Sequence, residues 1–152
     1  DYIMIFCSSV PLAFCLGAYV FHVAPLPLFL SVIGVVASAT HAAVTLRRSL
    51  LPSTRIRMMA VLVMFYVMPM LWQVGVDVIN GDILAPTCLS ALAALVSLGF
   101  GAFTYGSKWP ECQYHDSPVN SHSLMHVGVN LAYFFEFVFI LHAWHNVRHG
   151  EA

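Results

Sequence analysis

Charge is the scarcest property of this sequence. Only 9% of its 152 residues are Asp, Glu, Lys or Arg, whereas 60% are hydrophobic and the formal net charge is −1. A soluble globular domain carries roughly 25% charged residues, so this composition predicts an integral membrane protein. A nucleic-acid partner requires clustered Lys and Arg. Six basic residues in the whole chain argue against a partner of that class.

The sequence also lacks the motifs of several enzyme classes. It contains no serine-nucleophile elbow, no glycine-rich phosphate loop and no zincin helix motif. The four cysteines show no paired spacing, so neither a disulfide framework nor a cysteine zinc site is predicted. No initiator methionine or signal peptide precedes the first apolar run, which follows Asp1 directly. We therefore expect this chain to be part of a longer protein.

Five apolar runs are each long enough to cross the roughly 30 Å of membrane hydrocarbon, which takes about 20 helical residues. They predict an all-α integral membrane protein in which residues 1–152 form a single transmembrane domain. The predicted helices cover residues 2–23, 28–46, 58–79, 83–105 and 121–144, and the predicted connecting loops include residues 47–57 and 106–120. The fourth predicted helix carries small residues at four-residue spacing, Ala93, Ser97 and Gly101. Such a stripe lets a neighbouring helix approach closely.

Basic residues are distributed unequally between the two predicted membrane faces. Loops 47–57 and 106–120 share one face and hold five of the six basic residues, whereas the opposite face holds only Arg148. Short cytoplasmic loops carry the excess of Lys and Arg, so we predict that both loops are cytoplasmic. The tail after Trp144 then lies outside, and the expected location is the plasma membrane.

Two histidines four residues apart, His122 and His126, open the fifth predicted helix. Residues at this spacing project from one helix face, so a single metal ion can bridge them. A second such pair, His145 and His149, lies in the polar tail, where exposed histidines need no special explanation. The first pair instead begins a helix whose other residues are typical of a segment that faces membrane hydrocarbon. Two interpretations explain the position of this pair equally well. The histidines either bind a metal ion or lie at the membrane interface, hydrogen-bonded to loop carbonyls.

The predicted topology brings further polar residues to the same membrane boundary. Asp1 begins the first helix there, and His41 lies at a similar depth in the second. Two imidazoles and a carboxylate, with His41 as a candidate third imidazole, are the ingredients of an open zinc site. For His41, packing with one hydrogen bond is the better interpretation. Asp116 and Ser121 are candidates either to cap the fifth helix or to support a ligand histidine.

Glu136 is a carboxylate deep inside the fifth predicted helix. It lies fourteen residues beyond His122, about 21 Å along the axis, so it cannot share the same metal. A carboxylate at this depth should point into the bundle, with Gln73 as a plausible partner. A cavity-lining role and a structural hydrogen bond are equally good interpretations.

These residues together resemble a known family, the progestin and adipoQ receptors with their bacterial haemolysin-III-like relatives. The matching motif elements are Pro110-Glu111, then Asp116, then Ser121-His122-xxx-His126. The opening Asp1-Tyr2-Ile3 is similar to the start of the family's third helix. By this resemblance, the chain would hold the last five helices of a seven-helix bundle, with two upstream helices absent. The chain departs from the family pattern at Cys112, where an arginine is usual, in a loop about three residues short before Asp116, and at Pro11, about a turn early.

The resemblance implies a zinc protein. His122 and His126 would be two of three zinc-ligating histidines, the third would belong to an absent helix, and Asp1 would hold the water at the metal. It also implies a receptor-like protein with a cytoplasm-side zinc site, for which the candidate activity is hydrolysis of lipid amides such as ceramide. Alternatives are a non-catalytic receptor for a lipid, steroid or hormone with structural zinc, or a proton-coupled transporter using Glu136. Whether the protein is an enzyme stays open, and membrane lipid is the expected partner.

Overall fold

A computed structural model of the chain describes residues 2–21, 25–46, 52–113 and 119–149. Throughout this described part, the regular structure is helical and no strand occurs. The helices are α1 (Tyr2–Val20), α2 (Pro25–Leu46), α3 (Pro52–Ile79), α4 (Pro86–Ser107) and α5 (Ser121–His149). The all-α class predicted from composition is confirmed.

Three of these helices begin at a proline. Pro25, Pro52 and Pro86 each occupy the first helical position, where the missing amide hydrogen costs nothing and the fixed φ angle already suits a helix. As a result, α3 begins at Pro52 rather than at the predicted residue 58, and α4 begins at Pro86 rather than at residue 83. The arginines at positions 55 and 57 therefore belong to the first turns of α3 and not to a loop.

The last helix is longer than its apolar run. We predicted an end at Trp144, but α5 continues to His149. No glycine or proline interrupts this stretch before Gly150, and Arg148 and His149 in the last turn complement the negative end of the helix dipole. The change from apolar to polar residues after Trp144 therefore does not end the helix.

The chain divides into two compact units at Gly75. In the first unit, α1 packs against α2, and the rings of Phe21 and Trp72 meet edge to face with centroids 5.9 Å apart. Leu16, Val35 and Met70 are fully buried in this unit.

In the second unit, α4 packs against α5. The closest approach is at Gly128, where an added Cβ would lie 2.9 Å from both the Cα of Gly101 and the carbonyl oxygen of Ser97. Only a hydrogen at that position lets the two backbones come so near. The close approach predicted from the small residues of the fourth helix is confirmed at Ser97 and Gly101.

Two helices, Pro86–Ser107 and Ser121–His149, are long and apolar enough to cross a membrane. Large apolar side chains such as Phe103 on α4 and Phe134 on α5 are exposed. Elsewhere in the described residues, the apolar stretches Pro11–Val20, Leu28–His41 and Val63–Ile79 are shorter than these two. The arrangement of five spans within a seven-helix bundle stays a prediction.

Candidate metal centre

The candidate site is at the start of α5, and Asn120 caps this start. The Asn120 side-chain oxygen accepts the backbone N–H of Ser123 at 2.7 Å, and its carbonyl accepts the N–H of Leu124 at 3.1 Å. This is the arrangement of an N-cap residue, which satisfies amide hydrogens that have no partner within the helix. Ser121 therefore occupies the first helical turn rather than the cap. The predicted role of Asp116 lies outside the described residues.

Glu111 anchors the same turn from the preceding loop. Its Oε2 accepts the backbone N–H of Ser121 at 3.0 Å, and Ser121 is buried. Hydrogen bonds from the Ser121 hydroxyl and then from its backbone N–H hold the pKa of Glu111 below its usual range, and the charge of Lys108 adds to this. The segment that follows α4 is thus tied to the residue immediately before His122. The sequence drew attention to Glu111 only as part of the family motif and did not reveal this bond.

The two histidines meet one another directly. Their Nε2 atoms are 3.1 Å apart, and their rings meet edge to face with centroids 4.6 Å apart and planes at 90°. Two imidazoles bound to one tetrahedral zinc, each with a Zn–N bond of about 2.0–2.1 Å, place their nitrogens about 3.3 Å apart. The observed separation is close to this value. It equally suits a hydrogen bond in which one ring donates and the other accepts.

A tyrosine from the neighbouring helix completes the surroundings of the pair. The ring of Tyr105, in the last turns of α4, lies 6.2 Å from the ring of His122 at an angle of 54°, which is within the range of favourable aromatic contacts. His122 is exposed and His126 is half-buried. One side of the pair therefore packs near α4, and the other is open to solvent or to a further ligand.

In the ranges that the structure describes, no three His, Cys, Asp or Glu side chains converge as metal ligands. Asp1 lies outside the described residues, so its predicted role is untested. His41 lies on α2 of the first unit, and its side chain is exposed.

Glu136 is fully buried. It shares a stripe of buried residues on α5 with Gly128, Ala132 and Phe139, and Gly128 marks the side of α5 that meets α4. The carboxyl group is therefore buried within the second unit, and its predicted direction into a helix bundle stays a prediction. Gln73 is half-buried and belongs to the first unit, so its pairing with Glu136 stays a prediction.

Sequence reasoning assigned no role to Asp77, which the structure shows to be a structural residue. Its Oδ2 accepts the hydroxyl hydrogen of Thr87 at 2.8 Å in a buried position. This bond joins the end of α3 to the first turn of α4. A carboxylate near the start of a helix also interacts favourably with the helix dipole. The ten-residue separation across a turn left no local pattern that would predict the bond.

No protein-family model, no curated protein and no solved structure matches this chain. The family resemblance therefore depends on the motif residues themselves.

Proposed function

We propose that this chain belongs to a multi-pass, receptor-like membrane protein in which His122 and His126 hold a zinc ion at the cytoplasmic boundary of the membrane. The observation that carries the proposal is the 3.1 Å separation of their Nε2 atoms. It is supported by the placement of both residues in the first two turns of an apolar, membrane-length helix. Histidines gain little from such a position unless they bind something.

The proposed protein crosses the plasma membrane with all five helices of this chain as part of a seven-helix bundle. The helices contain 19 to 29 residues, which corresponds to about 28–44 Å at 1.5 Å per residue. These lengths suit a hydrocarbon core of about 30 Å. The exposed apolar side chains of α4 and α5 support the same proposal.

The proposed reaction is hydrolysis of a lipid amide of the ceramide class. A bound zinc ion supplies Lewis-acid chemistry, activating water and polarising a carbonyl group. His122 and His126 would hold the ion, and a third histidine from outside this chain would complete the set. Asp1 would orient the attacking water, accept its proton as the carbon–oxygen bond forms, and pass that proton to the amine as the carbon–nitrogen bond of the amide breaks. Tyr105 would limit the movement of the His122 ring, and the bond from Ser121 to Glu111 would hold the start of α5.

The test is the zinc content of the full-length protein after a chelator has removed loosely bound metal. We expect one retained zinc per chain in the wild type and none in His122→Ala or His126→Ala. His142→Ala, a half-buried histidine of the same helix, is the matched control and should retain zinc. Unchanged zinc content in both ligand variants would remove the metal from the proposal.

A second candidate is a receptor for a lipid, steroid or hormone in which zinc has only a structural role. The bond between Glu111 and Ser121 favours it, because an anchored helix start suits a metal that ties helices together. In this case, wild-type protein would retain zinc but hydrolyse no ceramide, and ligand-dependent signalling would be lost in His126→Ala and retained in Asp1→Asn.

A third candidate is a proton-coupled transporter, favoured by the complete burial of Glu136 in α5. Reconstituted Glu136→Gln protein would then bind its transported ligand but fail to move protons with it. Proton uptake that is the same in wild type and Glu136→Gln would exclude this candidate.

A further inference from the structure

The second histidine pair, His145 and His149, is also an ordered feature of α5. The helix continues through both residues, and their rings lie with centroids 4.3 Å apart at an angle of 37°. Both side chains are exposed. Helical geometry therefore holds two solvent-accessible imidazoles one turn apart on a single face.

We propose that His145 and His149 form a second metal site, a two-histidine chelate for divalent transition-metal ions such as Cu²⁺, Ni²⁺ and Zn²⁺. Imidazole nitrogen is a ligand that suits these ions. The rings already touch, so small rotations of both side chains turn one nitrogen of each toward a common ion. Because both residues are exposed, water fills the remaining coordination positions.

This site is independent of the first pair. His145 follows His122 by 23 residues, which is about 35 Å along a helix axis. No single ion can therefore contact both pairs. A span of this length also exceeds the roughly 30 Å of membrane hydrocarbon, so the two pairs occupy opposite ends of one membrane-length helix.

The neighbouring side chains indicate a weak, exchangeable site. Within the described ranges, no third His, Cys, Asp or Glu side chain converges with the pair. Arg148 precedes His149 in the chain, and the carbon of its guanidinium lies 5.3 Å from the centroid of the Trp144 ring. That cation–π contact engages the positive charge on the indole, but the charge still opposes binding of a metal cation. Two protein ligands beside an arginine hold metal less firmly than the three ligands of a catalytic-type zinc site.

The experiment is a titration of the full-length protein with Ni²⁺, using a purification tag without histidines. Equilibrium dialysis in detergent measures labile Ni²⁺ after the first site has been loaded with zinc. We expect one labile ion per chain in the wild type. Affinity should fall at least about tenfold in His145→Ala and in His149→Ala, because loss of even an outer partner of a metal ligand costs 10- to 100-fold.

His142→Ala is the matched control, since His142 is the preceding histidine of α5 and belongs to neither pair. It should bind Ni²⁺ like the wild type, and Arg148→Gln should bind severalfold more tightly. The double variant His122→Ala/His126→Ala should retain the labile ion, which separates this site from the proposed zinc centre. Equal Ni²⁺ binding by wild type, His145→Ala and His149→Ala would overturn the proposal.

Discussion

The two ends of α5 carry the same histidine spacing in different surroundings. At the first end, the rings of His122 and His126 stand at 90° with their Nε2 atoms 3.1 Å apart. At the second end, the rings of His145 and His149 lie at 37° and both are exposed. Helical spacing makes both pairs capable of chelation. The residues around the two pairs differ.

On one side, the first pair has neighbours from parts of the chain outside α5. Tyr105 of α4 faces His122, and Glu111 of the preceding loop anchors Ser121. The described neighbours of the second pair, Trp144 and Arg148, belong to α5 itself. We therefore expect changes in α4 to affect the first pair much more than the second.

The largest expected difference between the two ends concerns catalysis. In the full-length protein, Asp1→Asn should retain zinc and lower ceramide hydrolysis by about 10²- to 10⁴-fold, the usual contribution of a general base. His126→Ala should lose both zinc and turnover, whereas His149→Ala should keep both. Zinc analysis and turnover on the same samples provide the measurement. Full turnover in Asp1→Asn would show that the carboxylate has no catalytic role.

The second largest effect is expected from a substitution at the contact between α4 and α5. A side chain at Gly128 would collide with the backbone of Gly101 and Ser97, so Gly128→Val should cost about 1–3 kcal/mol of stability by overpacking. It should also weaken zinc binding at the first pair and leave Ni²⁺ binding at the second pair unchanged. Thermal unfolding in detergent measures the first effect, and metal titration measures the second.

Gly99→Val is the matched control for this substitution. Gly99 is also helical, but nothing lies within 4 Å of its added Cβ. It should therefore lose only the small amount of stability that a β-branched residue costs in a helix. If both valine variants unfold at the same temperature, the close approach at Gly128 does not contribute to the stability of the contact between α4 and α5.

A smaller effect is expected at Tyr105. Tyr105→Ala removes the ring beside His122 and should weaken zinc binding by about tenfold, the lower limit for loss of a group that orients a metal ligand. Tyr105→Phe keeps the ring and should bind zinc like the wild type if ring packing is what matters. An equal loss in both variants would instead assign the effect to the phenol hydroxyl.

The smallest expected effect is a pH dependence at the first end of α5. Because Ser121 lowers the folded-state pKa of Glu111 from its ordinary value of 4.5, the bond stabilises the fold fully above about pH 4.5. That stability is lost as the pH falls through the lowered pKa. The difference in Tm between wild type and Glu111→Gln should therefore be largest near neutral pH and should vanish in acid. A constant difference at every pH would show that the charge of Glu111 is not involved.

Local features of the sequence predicted much of what the structure contains. The apolar composition predicted an all-helical chain, and the four-residue spacing of His122 and His126 predicted that both lie on one helix face. The small residues Ser97 and Gly101 predicted a close helix approach. The two histidines and the two small residues each share a helix face because of their four-residue spacing, which can be read from the sequence directly. The helix starts at Pro52 and Pro86 also depend on local sequence. The predicted helix boundaries followed hydrophobicity, which does not detect the residues that begin a helix.

Other features depend on how separate parts of the chain meet. The bond from Ser121 to Glu111 crosses a loop, and the ring contact between Tyr105 and His122 crosses from α4 to α5. No periodic pattern encodes the relative rotation and register of two helices, because many side chains packing together set them. The sequence by itself therefore placed His122 and His126 on one helix face and His145 and His149 in an exposed polar tail. Only the tertiary structure decided that α5 continues through the second pair, and that Tyr105 of α4 and Glu111 of the preceding loop contact the start of α5.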